Sequence, residues 1–342
     1  MEQTFKDKVV LVTGGVGSIG SEIVKQILEY DPKQIRILDN RETEMFHMQH
    51  ELIDHSNLRF LMGDIRDKER LNFAMKNVDI VFHAAALKHV PLCEYNPFEA
   101  IKTNIYGTQN VIEVALDNNV EKVINIGTDK VTNAINTMGS TKLLAERLVS
   151  SAQFYRGDKR TVFSSVRFGN VVGSRGSVLD LFKKQIKNGN HITITDPEMT
   201  RFIMSIPQAV NLVLETAKHV QGGETFILKM PVFKLGDLSK LIVEEVSPTF
   251  GKDPESIELR KIGLRPGEKM YEDLMTEEES YKALETNTSF IVLSDINIPH
   301  YTDLERSYLN SKKADLQTYS SRKANPLSKQ ELKELLKKEG LI

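Results

Sequence analysis

Three consecutive side chains, those of Thr128, Asp129 and Lys130, place a hydroxyl, a carboxylate and an amine at one point of the chain. A carboxylic acid can donate a proton and a neutral amine can accept one, so Asp129 and Lys130 have the two functions that general acid–base chemistry requires. Lys142 projects from the helix predicted to follow and adds a second amine. The alternative interpretation of Asp129 and Lys130 is a solvated pair of charges in a turn.

A glycine-rich segment near the N-terminus has the composition of a dinucleotide-binding turn. Residues 14–20 read GGVGSIG, directly after an apolar strand and at the start of a helix. Glycines at this spacing allow a tight turn, close approach of the backbone to a pyrophosphate and close packing of the helix on the strand. The helix N-terminus offers free N–H groups and a partial positive charge to the phosphates. The predicted cofactor contacts here are Gly14, Gly17, Ser18, Ile19 and Gly20.

Acidic residues after the next two strands predict which cofactor binds. Asp39 ends the second strand about 20 residues after the glycines, where a carboxylate accepts hydrogen bonds from the adenosine ribose and repels a 2′-phosphate. NAD is therefore the predicted cofactor, and Arg41, close to Asp39, leaves NADP as the alternative. Asp64 follows the third strand, within reach of the adenine amino group. The other predicted contacts are Ile65, Ala84 and Ala85.

Alternating strands and helices must position these residues. Apolar, β-branched runs predict strands at 8–13, 34–39, 58–63, 80–84 and 122–127. Amphipathic segments at 18–30, 41–53 and 99–118 predict the intervening helices. This alternation predicts right-handed βαβ units and an α/β fold with a doubly wound, Rossmann-type parallel sheet. Ligands of such sheets bind at the carboxyl ends of the strands, where the glycines and Thr128 lie.

The pattern becomes less regular after about residue 170, which predicts three regions. A dinucleotide-binding domain covers residues 1–170, with later segments returning to it, and a smaller α/β substrate-binding lobe covers 171–295. A polar C-terminal extension covers 296–342. Its last part reads SKQE from Ser328, a capping box, which predicts a terminal helix packed on the body or on a neighbouring subunit.

Composition excludes several classes of protein. The formal net charge of −2 offers no basic surface for nucleic acid and no polybasic membrane patch. The 342 residues contain one cysteine, Cys93, which suits a reducing cytoplasm, and the eight histidines do not cluster at metal-ligand spacing. No long apolar run or signal peptide is apparent. We therefore expect a cytoplasmic enzyme without a metal, and we expect His83, Met45 and Met48 to be core residues.

Several motifs resemble those of the extended short-chain dehydrogenase/reductases. They are TGGxGxIG at 13–20, HAAA at 83–86, NxxGT at 104–108 and the segment around Lys142. The family usually carries Tyr-x-x-x-Lys with the tyrosine as base, whereas this chain has Met138 four residues before Lys142. A thioether cannot accept a proton at neutral pH. The resemblance implies that Lys142 binds the nicotinamide ribose, and we expect Met138 to pack against the sugar or the nicotinamide.

Six further segments resemble the UDP-N-acetylglucosamine 4,6-dehydratases of bacterial polysaccharide synthesis, some of which are similar in having methionine in place of tyrosine. These segments are 87–91, 128–130, 167–171, 174–178, 195–202 and 264–269. The resemblance implies oxidation of the sugar at carbon 4 by NAD, loss of water across carbons 5 and 6, and return of hydride to carbon 6. It assigns protonation of the departing hydroxyl to Asp129 and removal of the carbon 5 proton to Lys130, with Thr128 positioning the 4-hydroxyl.

The same resemblance suggests how UDP-N-acetylglucosamine is bound. Arg201 and Arg265 are the candidates for its pyrophosphate, because guanidinium groups match phosphate oxygens. The other candidates are Asn170 and Ser177 for the phosphates or sugar, Lys88 for the sugar, and Glu268 for the uridine ribose. Segment 264–269 looks closer to the configuration-retaining enzymes, and the resemblance also implies a homo-oligomer.

Two other interpretations remain open at this point. A nucleotide-sugar 4-epimerase or reductase would use the same dinucleotide site, but it normally needs the tyrosine that Met138 replaces. A cofactor-binding sensor without catalytic activity would explain the loss of the tyrosine. Such a sensor would have no use for Asp129 and Lys130 as an acid–base pair.

Overall fold

The computed structural model describes residues 1–174, 176–294, 308, 311–315 and 318–342. The strands, numbered in chain order, are Val9–Thr13 (β1), Gln34–Asp39 (β2), Leu58–Met62 (β3), Ile80–His83 (β4), Lys122–Ile126 (β5), Val162–Arg167 (β6), Asn170–Val172 (β7), His191–Ile194 (β8), Thr200–Ser205 (β9), Thr225–Leu228 (β10), Val232–Lys234 (β11), Glu258–Lys261 (β12), Asp273–Met275 (β13), Ala283–Glu285 (β14), Ser289–Val292 (β15), Lys312–Lys313 (β16) and Tyr319–Ser320 (β17). The α-helices are Glu2–Phe5, Ser18–Leu28, Glu42–Glu51, Lys68–Met75, Val90–Tyr95, Pro97–Ile101, Gly107–Asp117, Thr137–Tyr155, Val178–Asn188, Ile206–His219, Leu235–Val246, Glu277–Ser280 and Lys329–Lys338.

The large sheet confirms the predicted doubly wound α/β fold. Its strand order is β16-β14-β15-β10-β6-β5-β4-β1-β2-β3. The seven strands from β10 to β3 in that order pair in parallel, and β15, β14 and β16 extend the sheet antiparallel. The order reverses direction at β1, with β2 on one side and β4 on the other. A cavity between the carboxyl ends of these strands is the expected ligand position.

Both faces of the large sheet are covered, as the apolar strand sequences require. In β1, Val10 and Val12 belong to one buried cluster together with Ile23 of the first long helix. Val9 and Leu11 point to the other face and join a second cluster. All five residues of β1 are buried, so the strand that leads into the glycine turn is fixed from both sides.

A smaller lobe lies beside the carboxyl edge and has its own core. Its strands form a three-stranded sheet of β11, β9 and β7 and a parallel pair of β8 and β12. The C-terminal helix Lys329–Lys338 closes this core with Leu332 and Leu336, both fully buried against the helix Leu235–Val246. Its capping box at Ser328 is present as predicted. Much of the predicted extension, including 296–307, lies outside the described residues.

The segment 99–118, predicted as one amphipathic helix, is interrupted. A π-helical turn at Lys102–Tyr106 separates Pro97–Ile101 from Gly107–Asp117. Within the turn, the buried Asn104 side chain accepts a hydrogen bond from Leu87 N–H and donates to Leu87 C=O and to Thr141 Oγ1. The turn therefore ties the loop after β4 to the helix that carries Lys142, and π-helical turns often occur near functional sites.

The buried histidine and the two methionines behave as core residues, as predicted. His83 is 2% exposed and its ring nitrogens hydrogen-bond Thr13 Oγ1 at 2.8 Å and Thr108 Oγ1 at 3.0 Å. Burial lowers the pKa of His83 to about 3, so the ring is neutral at physiological pH. Met45 and Met48 are also buried. Across the ranges that the structure describes, no helix has the length and apolar character needed to cross a membrane.

Candidate active site

A cavity of about 940 Å³ opens at the carboxyl ends of the parallel strands. Eighteen of the predicted site residues line it: Gly14, Gly17, Ser18, Ile19, Gly20, Asp39, Arg41, Asp64, Ile65, Ala84, Ala85, Lys88, Thr128, Lys130, Met138, Lys142, Asn170 and Ser177. The remaining four, Asp129, Arg201, Arg265 and Glu268, are not on its wall. The cavity therefore joins the glycine turn to Lys130 in one continuous space.

The glycine turn is a backbone cradle that side chains would fill. Gly14 has a φ of +66°, and a Cβ built there would lie 2.7 Å from the backbone of Ala85. A Cβ at Gly20 would lie 2.2 Å from the carbonyl oxygen of Gly14. The helix Ser18–Leu28 begins at the cavity, so its first N–H groups face the space. This arrangement fits the pyrophosphate of a dinucleotide.

We expect Gly20→Ala to weaken NAD binding by at least about tenfold, because the new methyl group displaces the Gly14 carbonyl and deforms the turn. Isothermal titration with NAD measures the effect. Gly189→Ala is the matched control, because a Cβ at Gly189 meets no atom closer than 3.6 Å. Equal affinities for the Gly20→Ala variant and the parent protein would contradict a pyrophosphate site at this turn.

Asp39 is 6% exposed at the end of β2, and its carboxylate already has four donors. Val16 N–H and Arg41 Nη2 donate to Oδ2, while Arg41 N–H and Nε donate to Oδ1. The hydrogen bond to Asp39 raises the pKa of the Arg41 guanidinium. Arg41 thus neutralises Asp39 while itself lining the cavity, an arrangement that weakens the repulsion of a 2′-phosphate.

Asp64 lies after β3 on the same side of the cavity. Its carboxylate accepts hydrogen bonds from Arg66 N–H, Nε and Nη2 and from Asn40 Nδ2. Burial works against ionisation of Asp64, but the hydrogen bonds from Arg66 outweigh it and lower the pKa. The residue is therefore a fixed anionic acceptor beside Ile65, on the part of the wall that the adenine would contact.

Thr128, Asp129 and Lys130 follow β5 and form a single hydrogen-bonded group. Thr128 Oγ1 donates to Asp129 Oδ1 at 3.0 Å, and Lys130 Nζ donates to the same oxygen at 2.8 Å. Asp129 is fully buried, and its N–H donates to the Phe168 carbonyl after β6. Thr128 and Lys130 line the cavity, so the carboxylate of Asp129 lies one hydrogen bond behind them.

The acid–base pair is an ion pair in this structure. Burial works against the charge on Lys130, but the carboxylates of Asp129 and Glu272 outweigh it and raise the pKa of the amine. Lys130 therefore carries its proton at neutral pH before any substrate binds. To act as a base, it must first lose that proton.

Lys142 and Met138 occupy the adjacent wall, on the helix Thr137–Tyr155. Lys142 Nζ donates to the Ile126 carbonyl at 2.7 Å, and burial lowers its pKa to about 8 although Glu146 opposes the shift. Met138 is 2% exposed and packs with Cys93 and Ala100. A thioether therefore lies where the tyrosine hydroxyl of the resembling enzymes would be expected.

The predicted diphosphate ligands lie in different surroundings. Asn170 begins β7 on the cavity wall. Ser177 occupies the N-cap position of the helix Val178–Asn188, but its buried Oγ makes no capping hydrogen bond and has no partner among the described residues. Arg201 is 9% exposed and donates to the Thr200 and Lys269 carbonyls. Its guanidinium is thus engaged with the backbone in this structure.

Arg265 and Glu268 belong to a loop outside the cavity wall. Arg265 is exposed, and Glu268 Oε2 accepts from its N–H and from Thr195 Oγ1. The same loop docks on the segment after Lys130, because Lys269 Nζ donates to the Thr132 carbonyl and Asn136 Nδ2 donates to the Gly267 carbonyl. The loop is therefore fixed against the segment that follows Lys130.

Glu272, just beyond this loop, is an ionisable site residue that the sequence did not reveal. It is 4% exposed and its Oε1 lies 3.9 Å from Lys130 Nζ. Burial and the charge of Asp129 raise its pKa, although Lys130 and Arg201 oppose the shift. The only signal in the sequence was its position three residues after the motif 264–269.

The fold and this site define an extended short-chain dehydrogenase/reductase scaffold. The sequence profile described as "Polysaccharide biosynthesis protein" matches residues 10–294. The chain belongs to this family of polysaccharide biosynthesis proteins.

Relatives with different names share most of the chain. An uncharacterized membrane protein of Methanocaldococcus jannaschii is 54% identical, over 97% of this chain and 96% of that protein. A UDP-N-acetylglucosamine 4,6-dehydratase (inverting) of Campylobacter jejuni is 42% identical, over 86% of this chain and 85% of the relative. A UDP-glucose 4-epimerase of Rickettsia typhi is 40% identical, over 97% and 96% of the two chains. The X-ray structure of Pen from Bacillus thuringiensis is 47% identical with a TM-score of 0.91, covering 99% of each chain.

Proposed function

We propose that this protein is a UDP-N-acetylglucosamine 4,6-dehydratase that forms a UDP-4-keto-6-deoxy-N-acetylhexosamine. The observation that carries the proposal is the Asp129–Lys130 ion pair, in which Lys130 lines the cavity that begins at the glycine turn. A dehydration needs a proton donor and a proton acceptor beside the sugar, and this pair contains both. The name of the relative that is 42% identical supports the same substrate.

NAD is the cofactor that the cavity fits, with NADP as the alternative because Arg41 neutralises Asp39. When bound, the nicotinamide supplies an acceptor for the hydride of carbon 4 and a donor of hydride to carbon 6. The glycine turn would hold the pyrophosphate, Asp39 the ribose and Asp64 the adenine. Lys142 would hold the nicotinamide ribose, and its ammonium adds positive potential beside Thr128.

Thr128 gives the 4-hydroxyl proton a route that does not need a tyrosine. Its Oγ1 already donates to Asp129 Oδ1, and Thr128 lines the cavity. If the sugar 4-hydroxyl donates to Thr128 Oγ1, a concerted shift along the two hydrogen bonds moves one proton to Asp129. Asp129 then holds the proton that the leaving 6-hydroxyl requires.

Elimination follows from the same group of side chains. The ketone at carbon 4 acidifies the carbon 5 proton, which neutral Lys130 removes while Asp129 protonates the departing hydroxyl. We propose retention at carbon 5, because Lys130 can return a proton to the face from which it took one. The Campylobacter jejuni relative is named inverting, so the configuration of the product is a separate question from dehydration.

A 4-epimerase is the second candidate, favoured by the name of the Rickettsia typhi relative. Epimerisation needs hydride transfer at carbon 4 and a group that exchanges the 4-hydroxyl proton. Thr128 and Asp129 could exchange the 4-hydroxyl proton, but epimerisation gives Lys130 no proton to remove from carbon 5. The buried Met138 gives neither reaction a tyrosine base.

A proton NMR time course with UDP-N-acetylglucosamine in deuterated water tests the proposal. We expect a new methyl signal from carbon 6, loss of the carbon 4 proton, and deuterium at carbon 5, because Lys130 exchanges its protons with solvent through the cavity. The couplings of the hydrated product give the configuration at carbon 5. Formation of UDP-N-acetylgalactosamine without a methyl signal would instead identify an epimerase, and an unchanged spectrum would contradict both candidates.

A further inference from the structure

Glu272 places a second carboxylate beside the ammonium of Lys130. Its Oε1 lies 3.9 Å from Lys130 Nζ and 3.8 Å from Arg201 Nε, and its Oε2 lies 4.0 Å from Lys269 Nζ. Oε2 is buried and has no hydrogen-bond partner among the residues that the structure describes. A buried carboxylate oxygen without a donor is a position that can take up a proton, and Asp129 Oδ2 is a second such position in the same cluster.

Both backbone groups of Glu272 form hydrogen bonds with Ser321 in the C-terminal segment. Glu272 N–H donates to Ser321 Oγ at 2.9 Å, and Ser321 N–H donates to the Glu272 carbonyl at 2.9 Å. Ser321 is fully buried and its hydroxyl also contacts Thr200 Oγ1. These bonds fix the backbone from which the buried carboxylate reaches Lys130.

The proton balance of the proposed reaction requires an acceptor beyond Asp129. The pair starts with one proton, on Lys130, and the 4-hydroxyl delivers a second proton to Asp129. Both members are then protonated, so Lys130 cannot take the carbon 5 proton. One proton must leave Lys130 before elimination, and it must return before the next turnover.

We propose that Glu272 is the residue that accepts this proton, acting through Lys130 without contacting the sugar; the proposal rests on the dehydratase function proposed above. The Lys130 ammonium and the Glu272 carboxylate become a neutral amine and a carboxylic acid. Neutral Lys130 takes the carbon 5 proton as Asp129 protonates the leaving hydroxyl. Lys130 then returns a proton to carbon 5, and Glu272 gives its proton back to Lys130, so no net proton is gained or lost.

The surroundings of Glu272 suit this exchange. The charged groups that face it are Asp129 and Lys130 after β5, Arg201 on β9, and Lys269 in the adjoining loop. Burial raises the pKa of the glutamate, so it holds a proton more readily than an exposed glutamate. The separation of 3.9 Å closes by a small side-chain rotation or by one bridging water.

The test is the pH dependence of turnover in Glu272→Gln, which preserves the shape of the side chain but cannot take up a proton. In the parent enzyme the proton stays inside the cluster, so between about pH 7 and 9 the rate should change only as Lys142, whose pKa is about 8, loses its charge. In the variant, Lys130 must release its proton to solvent. The ratio of the variant rate to the parent rate at the same pH should therefore be about one tenth or less at pH 7 and rise toward tenfold per pH unit, as expected for a proton lost to bulk water.

Other outcomes would overturn the proposal. A profile displaced to lower pH would mean that Glu272 acts only as a fixed negative charge that raises the pKa of Lys130. A loss of rate that is equal at every pH would indicate a purely structural role. An unchanged rate would remove Glu272 from the mechanism.

Two variants control for structural damage. Ser321→Ala removes the hydrogen bond that Glu272 N–H donates to Ser321 Oγ but keeps the carboxylate of Glu272, so thermal stability should fall while the shape of the pH profile stays that of the parent. Glu224→Gln changes another buried glutamate, located before β10 at the opposite edge of the sheet, and should leave the profile unchanged. Glu272→Asp should recover part of the rate at pH 7 that Glu272→Gln loses.

If the parent protein itself forms no keto sugar, the dehydratase proposal fails. A fully active Glu272→Gln variant would instead contradict only the role of Glu272.

Discussion

Lys130→Arg is expected to reduce dehydration of UDP-N-acetylglucosamine by about 10²–10⁴-fold, the usual contribution of a positioned general base. Arginine keeps a positive charge beside Asp129 and so preserves the ion pair that the lysine makes. A guanidinium does not release its proton in a protein, so it cannot take the carbon 5 proton. The substitution therefore separates the basicity of Lys130 from its charge.

The expected loss concerns elimination and leaves the earlier steps intact. NAD affinity, measured by titration, should remain within about twofold of the parent value, because Lys130 is not among the proposed cofactor contacts. A single-turnover experiment should still show absorbance of reduced nicotinamide, which should decay more slowly than in the parent because elimination is slowed. Lys122→Arg is the matched control, since Lys122 begins the same strand that Lys130 follows and lies at the opposite edge of the sheet. Full turnover by Lys130→Arg would show that another group removes the carbon 5 proton.

The geometry of the proposed dinucleotide half of the site could be predicted because its determinants are local in sequence. The glycine turn follows directly from β1, and Asp39 is the last residue of the next strand. In a parallel sheet, every strand end that follows a βαβ connection reaches the same edge. Position along the chain was therefore enough to place Gly14, Asp39 and Thr128 around one cavity.

The second half of the site depends on contacts between distant segments, which a single sequence does not encode locally. Glu272 meets Lys130 only because the loop before it docks on the segment after β5, through bonds such as Lys269 Nζ to the Thr132 carbonyl. Arg201 was predicted as a pyrophosphate ligand on its chemistry. Its guanidinium donates to backbone carbonyls in this structure, a partner choice that residue type does not reveal.

The π-helical turn shows a different limit of sequence interpretation. Periodicity across 99–118 is compatible with one continuous helix, because a π-helical turn shifts the apolar pattern by a single residue. What stabilises the turn is tertiary: the side chain of Asn104 satisfies both backbone groups of Leu87. Those bonds position the loop after β4 on the cavity wall, where Lys88 also lies.

Arg167, at the end of β6, joins three elements around a buried cluster of charges. Its guanidinium is 2% exposed and binds both carboxylate oxygens of Glu146 on the helix Thr137–Tyr155. It also binds both carboxylate oxygens of Glu279 on the short helix Glu277–Ser280. Burial works against ionisation of Glu279, but Arg167 outweighs it and lowers the pKa of that carboxyl. The helix that carries Lys142 is thereby tied to the segment that follows Glu272.

Arg167→Met is expected to lower the free energy of unfolding by about 3–5 kcal/mol at pH 8, because it leaves the buried Glu146 and the partly buried Glu279 without a cation. Without Arg167, the burial that works against ionisation of Glu279 is no longer outweighed, so the pKa of Glu279 rises above the unfolded value of about 4.3. A group with a raised pKa contributes stability at low pH that disappears as the pH rises through the folded-state pKa. The loss of unfolding free energy should therefore be smaller at pH 5 than at pH 8, as measured by urea unfolding at both values.

Arg160→Met is the control. It removes an exposed arginine that lies 3.8 Å from Asp79, and it should cost less than about 1 kcal/mol at either pH. A loss for Arg167→Met that is the same at both pH values would show that packing, and not the uncompensated carboxylates, accounts for its effect.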